Sequence, residues 1–172
     1  MRKLLLLSAP LALLASPALA QTVDGRVDIT GSVAGRCMFT VPSKTIELGE
    51  ISLASNGKLD VSKVNGRNET LTGWCNNTTA SMTVTSTALT NGTTAPTGFD
   101  NRVNYTATAV TGSTTASDTS TVAGAGAPSS VGLFSGNIVV TLSDASTPNN
   151  GLMVAGAYSG NVIVTLTPTV GG

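Results

Sequence analysis

Histidine is missing from this 172-residue chain. Its absence removes Ser-His-Asp and Cys-His catalysis and every imidazole metal site, because no other side chain ordinarily exchanges a proton near neutral pH. Charge is scarce as well: 10% of residues, nine basic against nine acidic. No basic patch is available to hold phosphates, which excludes a nucleic-acid binder of the electrostatic kind. Aromatic residues make up 3% of the chain, with Trp74 the only tryptophan. The carboxylates Asp24, Asp28, Glu47, Glu50, Asp60, Glu69, Asp100, Asp118 and Asp144 are scattered along the sequence. No close pair suggests acid–base work, and Asp24 and Asp28 lack the ligand density of a calcium loop. The expectation is therefore a protein without catalytic residues, cofactor or metal.

What is present begins with residues 1–20. Arg2-Lys3, the apolar run Leu4 to Ala15 and the small-x-small end Ala18-Leu19-Ala20 read as a signal peptide, with the mature chain starting at Gln21. The run is too short to cross a bilayer, and no later stretch is long and apolar enough, so the chain is not expected to be membrane-embedded. Export brings Cys37 and Cys75 into an oxidising compartment, where a disulfide is the default and a pair of buried thiols the alternative.

From Gln21 onward the hydrophobic residues alternate. Val23, Val27, Ile29 and Val33 occupy odd positions between polar neighbours, as in a half-buried strand. The same period returns at Ile46 and Leu48, at Leu71, Gly73 and Cys75, and at Met82 and Val84. It continues at Val103, Tyr105, Ala107 and Ala109, at Ile138, Val140 and Leu142, and at Val162, Val164 and Leu166. Thr dominates the opposite faces and suits strands while staying hydrated. Asn56-Gly57, Asn65-Gly66, Asn91-Gly92, Pro148-Asn149-Asn150-Gly151 and Gly171-Gly172 punctuate the runs as turns. The residues from Thr111 to Ser130, poor in large apolar side chains, read as a surface loop or ragged edge strand. Together these features predict one antiparallel β-sandwich over residues 21–172. Trp74 is expected to pack near the disulfide and Tyr158 to anchor the last hairpin.

The run Thr22 to Ile29 leads into Cys37, a Leu48-Gly49 step and Trp74-Cys75-Asn76, and the chain closes with Ala155-Gly156-Ala157-Tyr158-Ser159-Gly160-Asn161-Val162-Ile163-Val164-Thr165-Leu166-Thr167. In this order, after a signal peptide, the sequence resembles subunits of archaic (Csu-type) chaperone–usher pili, which belong with the spore coat protein U domain proteins. More distantly it is similar to type 1 fimbrial major subunits. The resemblance implies an immunoglobulin-like sandwich lacking its last strand. The resulting groove is filled by the N-terminal segment of a neighbouring subunit and, before assembly, by a periplasmic chaperone, with an outer-membrane usher completing the pathway. It assigns Val23, Val27, Ile29 and Val33 to the donor strand, with Gly25 on the same face. The acceptor groove falls to Leu48, Ile51, Val162, Val164 and Leu166. Two features depart from the family pattern: the short stretch between Gln21 and Cys37, and the Gly171-Gly172 ending.

Strand addition has a physical rationale independent of the family. Main-chain bonds to an open sheet edge supply affinity, and alternate side-chain pockets supply register. Two other readings remain open on the residues alone. The alternative to a donor role is that Val27 to Val33 forms the first strand of its own sandwich, and the alternative to a polymer subunit is a self-contained module that recognises glycans or a surface partner through loops such as 111–130.

Overall fold

Strand period and pairing account for nearly all the regular structure in the computed structural model, which describes residues 21–169. The chain divides into two units at the Ser32–Val33 boundary. In the described part of the first unit, residues 21–32, there is neither helix nor strand. Alternation predicts a half-buried strand there. Instead Val23, Val27 and Ile29 are 85–92% exposed, and Val33, the first residue of the second unit, is 87% exposed. The segment has the side-chain period of a strand without a sheet to lie on. The signal-peptide reading of residues 1–20 and the Gly171-Gly172 ending lie outside the described residues.

The second unit is all-β. Its main sheet contains β1 (Cys37–Val41), β2 (Asn68–Cys75), β4 (Leu89–Thr90), β6 (Arg102–Thr111), β7 (Thr114–Thr119) and β9 (Phe134–Ser146). The order is β1-β2-β9-β6-β4, with β7 also paired to β6, and every pairing is antiparallel. A second antiparallel sheet is ordered β11-β3-β8, from β3 (Ser81–Ser86), β8 (Ser129–Ser130) and β11 (Val162–Thr167). A two-residue parallel ladder joins β5 (Phe99–Asp100) to β10 (Leu152–Met153). The antiparallel sheets face each other as in a β-sandwich.

The core lies between these sheets and consists of the alternating residues. Val103, Tyr105, Ala107 and Ala109 of β6 and Ile138, Val140 and Leu142 of β9 are buried against Met82 and Val84 of β3 and Val164 of β11. Small residues set the spacing of the layers. A Cβ on Gly73 would lie 2.9 Å from the Met38 carbonyl oxygen and 3.3–3.4 Å from Phe39 and Leu166, so the absent side chain lets the end of β11 settle over β2. The Asn-Gly turns behave as their chemistry requires, with Gly57, Gly66 and Gly92 at φ of 67°, 79° and 71°.

Of the two readings of Thr111 to Ser130, the edge strand is the one found: β7 is hairpinned to β6 and pairs with no other strand. Ala116 and Asp118 of β7 are buried, and the Asp118 carboxylate accepts bonds from the Ser86 N–H and Oγ–H, both at 2.7 Å. Small and acidic residues at the buried positions hid the strand from a hydrophobic pattern. Ile46 and Leu48 alternate but belong to no strand, although both pack half-buried against the core. Trp74 is half-buried on the β2 face opposite Gly73 and Cys75, paired in register with Met38 and Ser135, and lies outside the core cluster. Tyr158 does tie its loop down, with its hydroxyl 2.8 Å from the Val154 carbonyl and 3.2 Å from that of Asp100.

Candidate functional site

β11 terminates its sheet, with β3 on one side. The opposite side of β3 is occupied by β8 and by Gly126, whose N–H donates to the Val84 carbonyl at 2.8 Å. The outer edge of β11 is therefore the open edge of this sheet. Its polarity follows from one bond. The Thr87 N–H donates to the Asn161 carbonyl at 2.9 Å, and the register continues Val162↔Ser86, Ile163↔Thr85 and Val164↔Val84. In an antiparallel ladder only alternate residues direct their N–H and C=O toward a given partner. Asn161, Ile163 and Thr165 thus point theirs at β3, while Val162, Val164 and Leu166 point theirs outward. Among the described residues these outward groups meet no hydrogen-bond partner.

A cleft of about 420 Å³ runs along this edge. One wall is Gly160 to Val164, the other is Pro42 to Ile46 with Leu48, and the floor includes Leu71, Leu89, Tyr105, Val140 and Leu142. A second cleft of about 580 Å³ adjoins it through Thr45, Ile46, Leu48, Leu89 and Gly160, and extends past Glu47 to Ser52 and Met153 to Ser159. The two form one elongated groove with an apolar floor, and only Lys44, Glu47, Glu50 and Glu69 bring charge to its rim.

Of the acceptor residues expected from sequence, Leu48, Val162 and Val164 line the first cleft, and Leu48 and Ile51 line the second. Leu166 lies beyond the cleft, packed near Gly73 and Phe39. Sequence reading missed Ile46, Leu71, Leu89, Val140 and Leu142 as groove residues. The alternation of most of them was visible, but only the topology brings them under one edge. The donor residues Val23, Val27, Ile29 and Val33 are exposed, and Arg26 and Asp28 between them form a 2.6 Å ion pair.

Cys37 and Cys75 are joined in a disulfide that closes a sequence separation of 38 residues and locks the start of β1 onto the end of β2. A disulfide is consistent with an oxidising extracytoplasmic setting. No helix among the described residues is long and apolar enough to cross a membrane.

Two ionisable groups brace the groove. Tyr105, whose hydroxyl is 2.8 Å from the Thr87 carbonyl and 3.1 Å from that of Asn161, has its pKa pushed up to about 12, first by burial and then by the Asp118 charge. Burial alone would raise the Asp100 carboxyl, but bonds from the Gly151 N–H at 2.6 Å, from Thr147 and from Asn149 hold it below its ordinary value. Asp100 thereby fixes the loop leading into β10, next to the second cleft.

Comparison of the chain with protein-family models, with curated proteins and with solved structures gives no match.

Proposed function

We propose that this protein is a structural subunit of a bacterial surface pilus, fimbria or coat-like polymer, exported through the periplasm and assembled by donor-strand exchange. In this reading the second unit is an immunoglobulin-like sandwich short of one strand, and residues 21–33 of a neighbouring copy complete it. A periplasmic chaperone occupies the groove before assembly, and an outer-membrane usher orders the exchange. One observation carries the reading. The same chain holds an unpaired β11 edge beside an apolar groove and a separate, exposed, alternating aliphatic segment with no sheet of its own.

The energetics are of the right size. Burying Val23, Val27, Ile29 and Val33 at about 1.5–3 kcal/mol each gives a gross gain of roughly 6–12 kcal/mol before ordering costs. Backbone bonds to Val162, Val164 and Leu166 add register. The contact is head-to-tail and does not close on itself, so it propagates as a filament.

The test is a charge in the donor face. Val27→Asp or Ile29→Asp is expected to leave a folded, disulfide-bonded subunit that no longer forms filaments when co-expressed with a chaperone and usher, scored by electron microscopy and by sedimentation. Filaments of normal yield from both variants would remove the donor role.

A further inference from the structure

Residues 34–36, just before β1, are held by a single residue, Asn76. The ladder of β1 and β2 runs Cys37↔Cys75 and continues one step further, with the Asn76 N–H donating to the Arg36 carbonyl at 3.0 Å. Beyond that point the Asn76 side chain takes over. Its Oδ1 accepts from the Arg36 N–H at 2.5 Å and its Nδ2 donates to the Ala34 carbonyl at 3.1 Å. The carboxamide thus stands in for one more peptide group of β2, and the backbone from Ala34 to Arg36 prolongs the line of β1. The neighbouring Asn77 shapes the same place. Its Nδ2 donates to the Thr169 carbonyl at 2.5 Å, and its Oδ1 accepts from the Thr79 N–H and Oγ–H at 2.8 and 2.7 Å. A Cβ on residue 35 would stand 2.5 Å from that Nδ2, so any side chain in place of Gly35 pushes the end of the Asn77 carboxamide aside.

The consequence lies in the direction of the chain. Phe39 and Leu166 both meet Gly73, the 42–48 wall faces Gly160 to Val164, and Ile51 faces the groove beyond, among Met153 to Ser159. From residue 39 to residue 51 the chain therefore runs opposite to the direction of β11. For its own residues 23–33 to enter the groove, the chain would have to reverse as a hairpin at residues 34–36. A reversal there breaks the bonds to Asn76.

We infer that Asn76, with Gly35 and Asn77, is an exit clamp that holds the N-terminal segment out of its own groove and so reserves the groove for a second copy. This rests on the strand-addition reading and adds a positioning role to it. The clamp residues do not line the groove.

The experiment uses the mature chain, oxidised and monomeric at low concentration, and a fluorescent peptide of residues 21–33 as the probe. Incorporation is followed by gel shift over time. The wild-type chain takes up the peptide. Asn76→Ala takes it up about tenfold more slowly, because its own segment now competes, and the loss of two side-chain hydrogen bonds at the clamp is worth about that factor. Gly35→Ala, which crowds Asn77 beside the clamp, slows uptake by less. Adding Ile29→Asp to Asn76→Ala restores uptake, since the competing segment can no longer insert. Retained disulfide and circular dichroism identify variants that are folded. Unchanged uptake in both clamp variants overturns the inference, as does slow uptake that Ile29→Asp fails to restore, which would mean a damaged groove. No uptake by the wild-type chain is a different result. It removes the strand-addition reading itself, and the clamp with it.

Discussion

Two stretches of this chain share one pattern and have opposite fates. Val162 to Leu166 and Val23 to Val33 both alternate aliphatic with polar residues. The first is strand β11, with Val164 buried in the core. The second carries its aliphatic side chains in solvent and forms no strand. The difference is pairing. β11 satisfies half of its backbone groups on β3 and lays Val164 on the floor shared with β9 and β6, whereas the described residues of the first unit, 21–32, pair with no strand. Alternation sets which side chains share a face, and a hydrogen-bonded neighbour decides whether that face is buried. The two stretches are complementary: one lacks a sheet, and the other has an edge without a strand.

The same substitution made in each stretch should have very different costs. Val164→Asp places an uncompensated charge in the core and is expected to cost about 4–5 kcal/mol or to prevent folding. Ile29→Asp should change the stability of the isolated monomer by no more than about 0.5 kcal/mol. Urea unfolding of the two variants checks this, and equal costs would erase the distinction between the segments. Reducing Cys37–Cys75 acts on the framework that both segments share. On the chain-entropy account, opening a loop of this length costs about 4 kcal/mol, measured as a shift of the urea midpoint with and without reductant.

Smaller effects come from the titrating groups that brace β11 and its loop. The folded Tyr105 titrates at about 12 against an ordinary 10, so its contribution is intact below pH 10 and is lost as pH rises through about 12. Alkaline unfolding followed by circular dichroism should be less steep across that window in Tyr105→Phe. Asp100 has the opposite sign. Its folded pKa is lowered from 3.8, so its contribution is present above pH 3.8 and is lost as pH falls through the depressed folded value. Protection factors of the amides of residues 149–151, taken relative to intrinsic exchange at each pH, should fall on acidification in the wild-type chain and be low throughout that range in Asp100→Asn.

The sandwich class was legible because its strands are amphipathic on a period of two and its turns are Asn-Gly. The alternations of β3, β6 and β9 and the burial of Val164 lie where the pattern put them. β7 was legible only as one of two readings, because its buried positions are Ala116 and Asp118, and the latter is stabilised by Ser86 from a different sheet. The groove was only partly legible. Leu48, Ile51, Val162 and Val164 sit along it, whereas Leu71, Val140 and Leu142 reach its floor through the order β2-β9-β6, which no local pattern encodes. Asn76 gave no signal beyond its place after Cys75, since its role depends on the three bonds it makes to residues 34 and 36.

On the proposed strand exchange, the outer edge of β11 takes up a strand from another copy. Backbone amide exchange at Val162, Val164 and Leu166 reads that edge directly. In the monomer these amides should exchange rapidly while those of Ile163 and Thr165, bonded to β3, are protected. Addition of a peptide of residues 21–33 should protect the first set and leave the second unchanged. Protection of all five amides before the peptide is added, or no change after it, would contradict the claim.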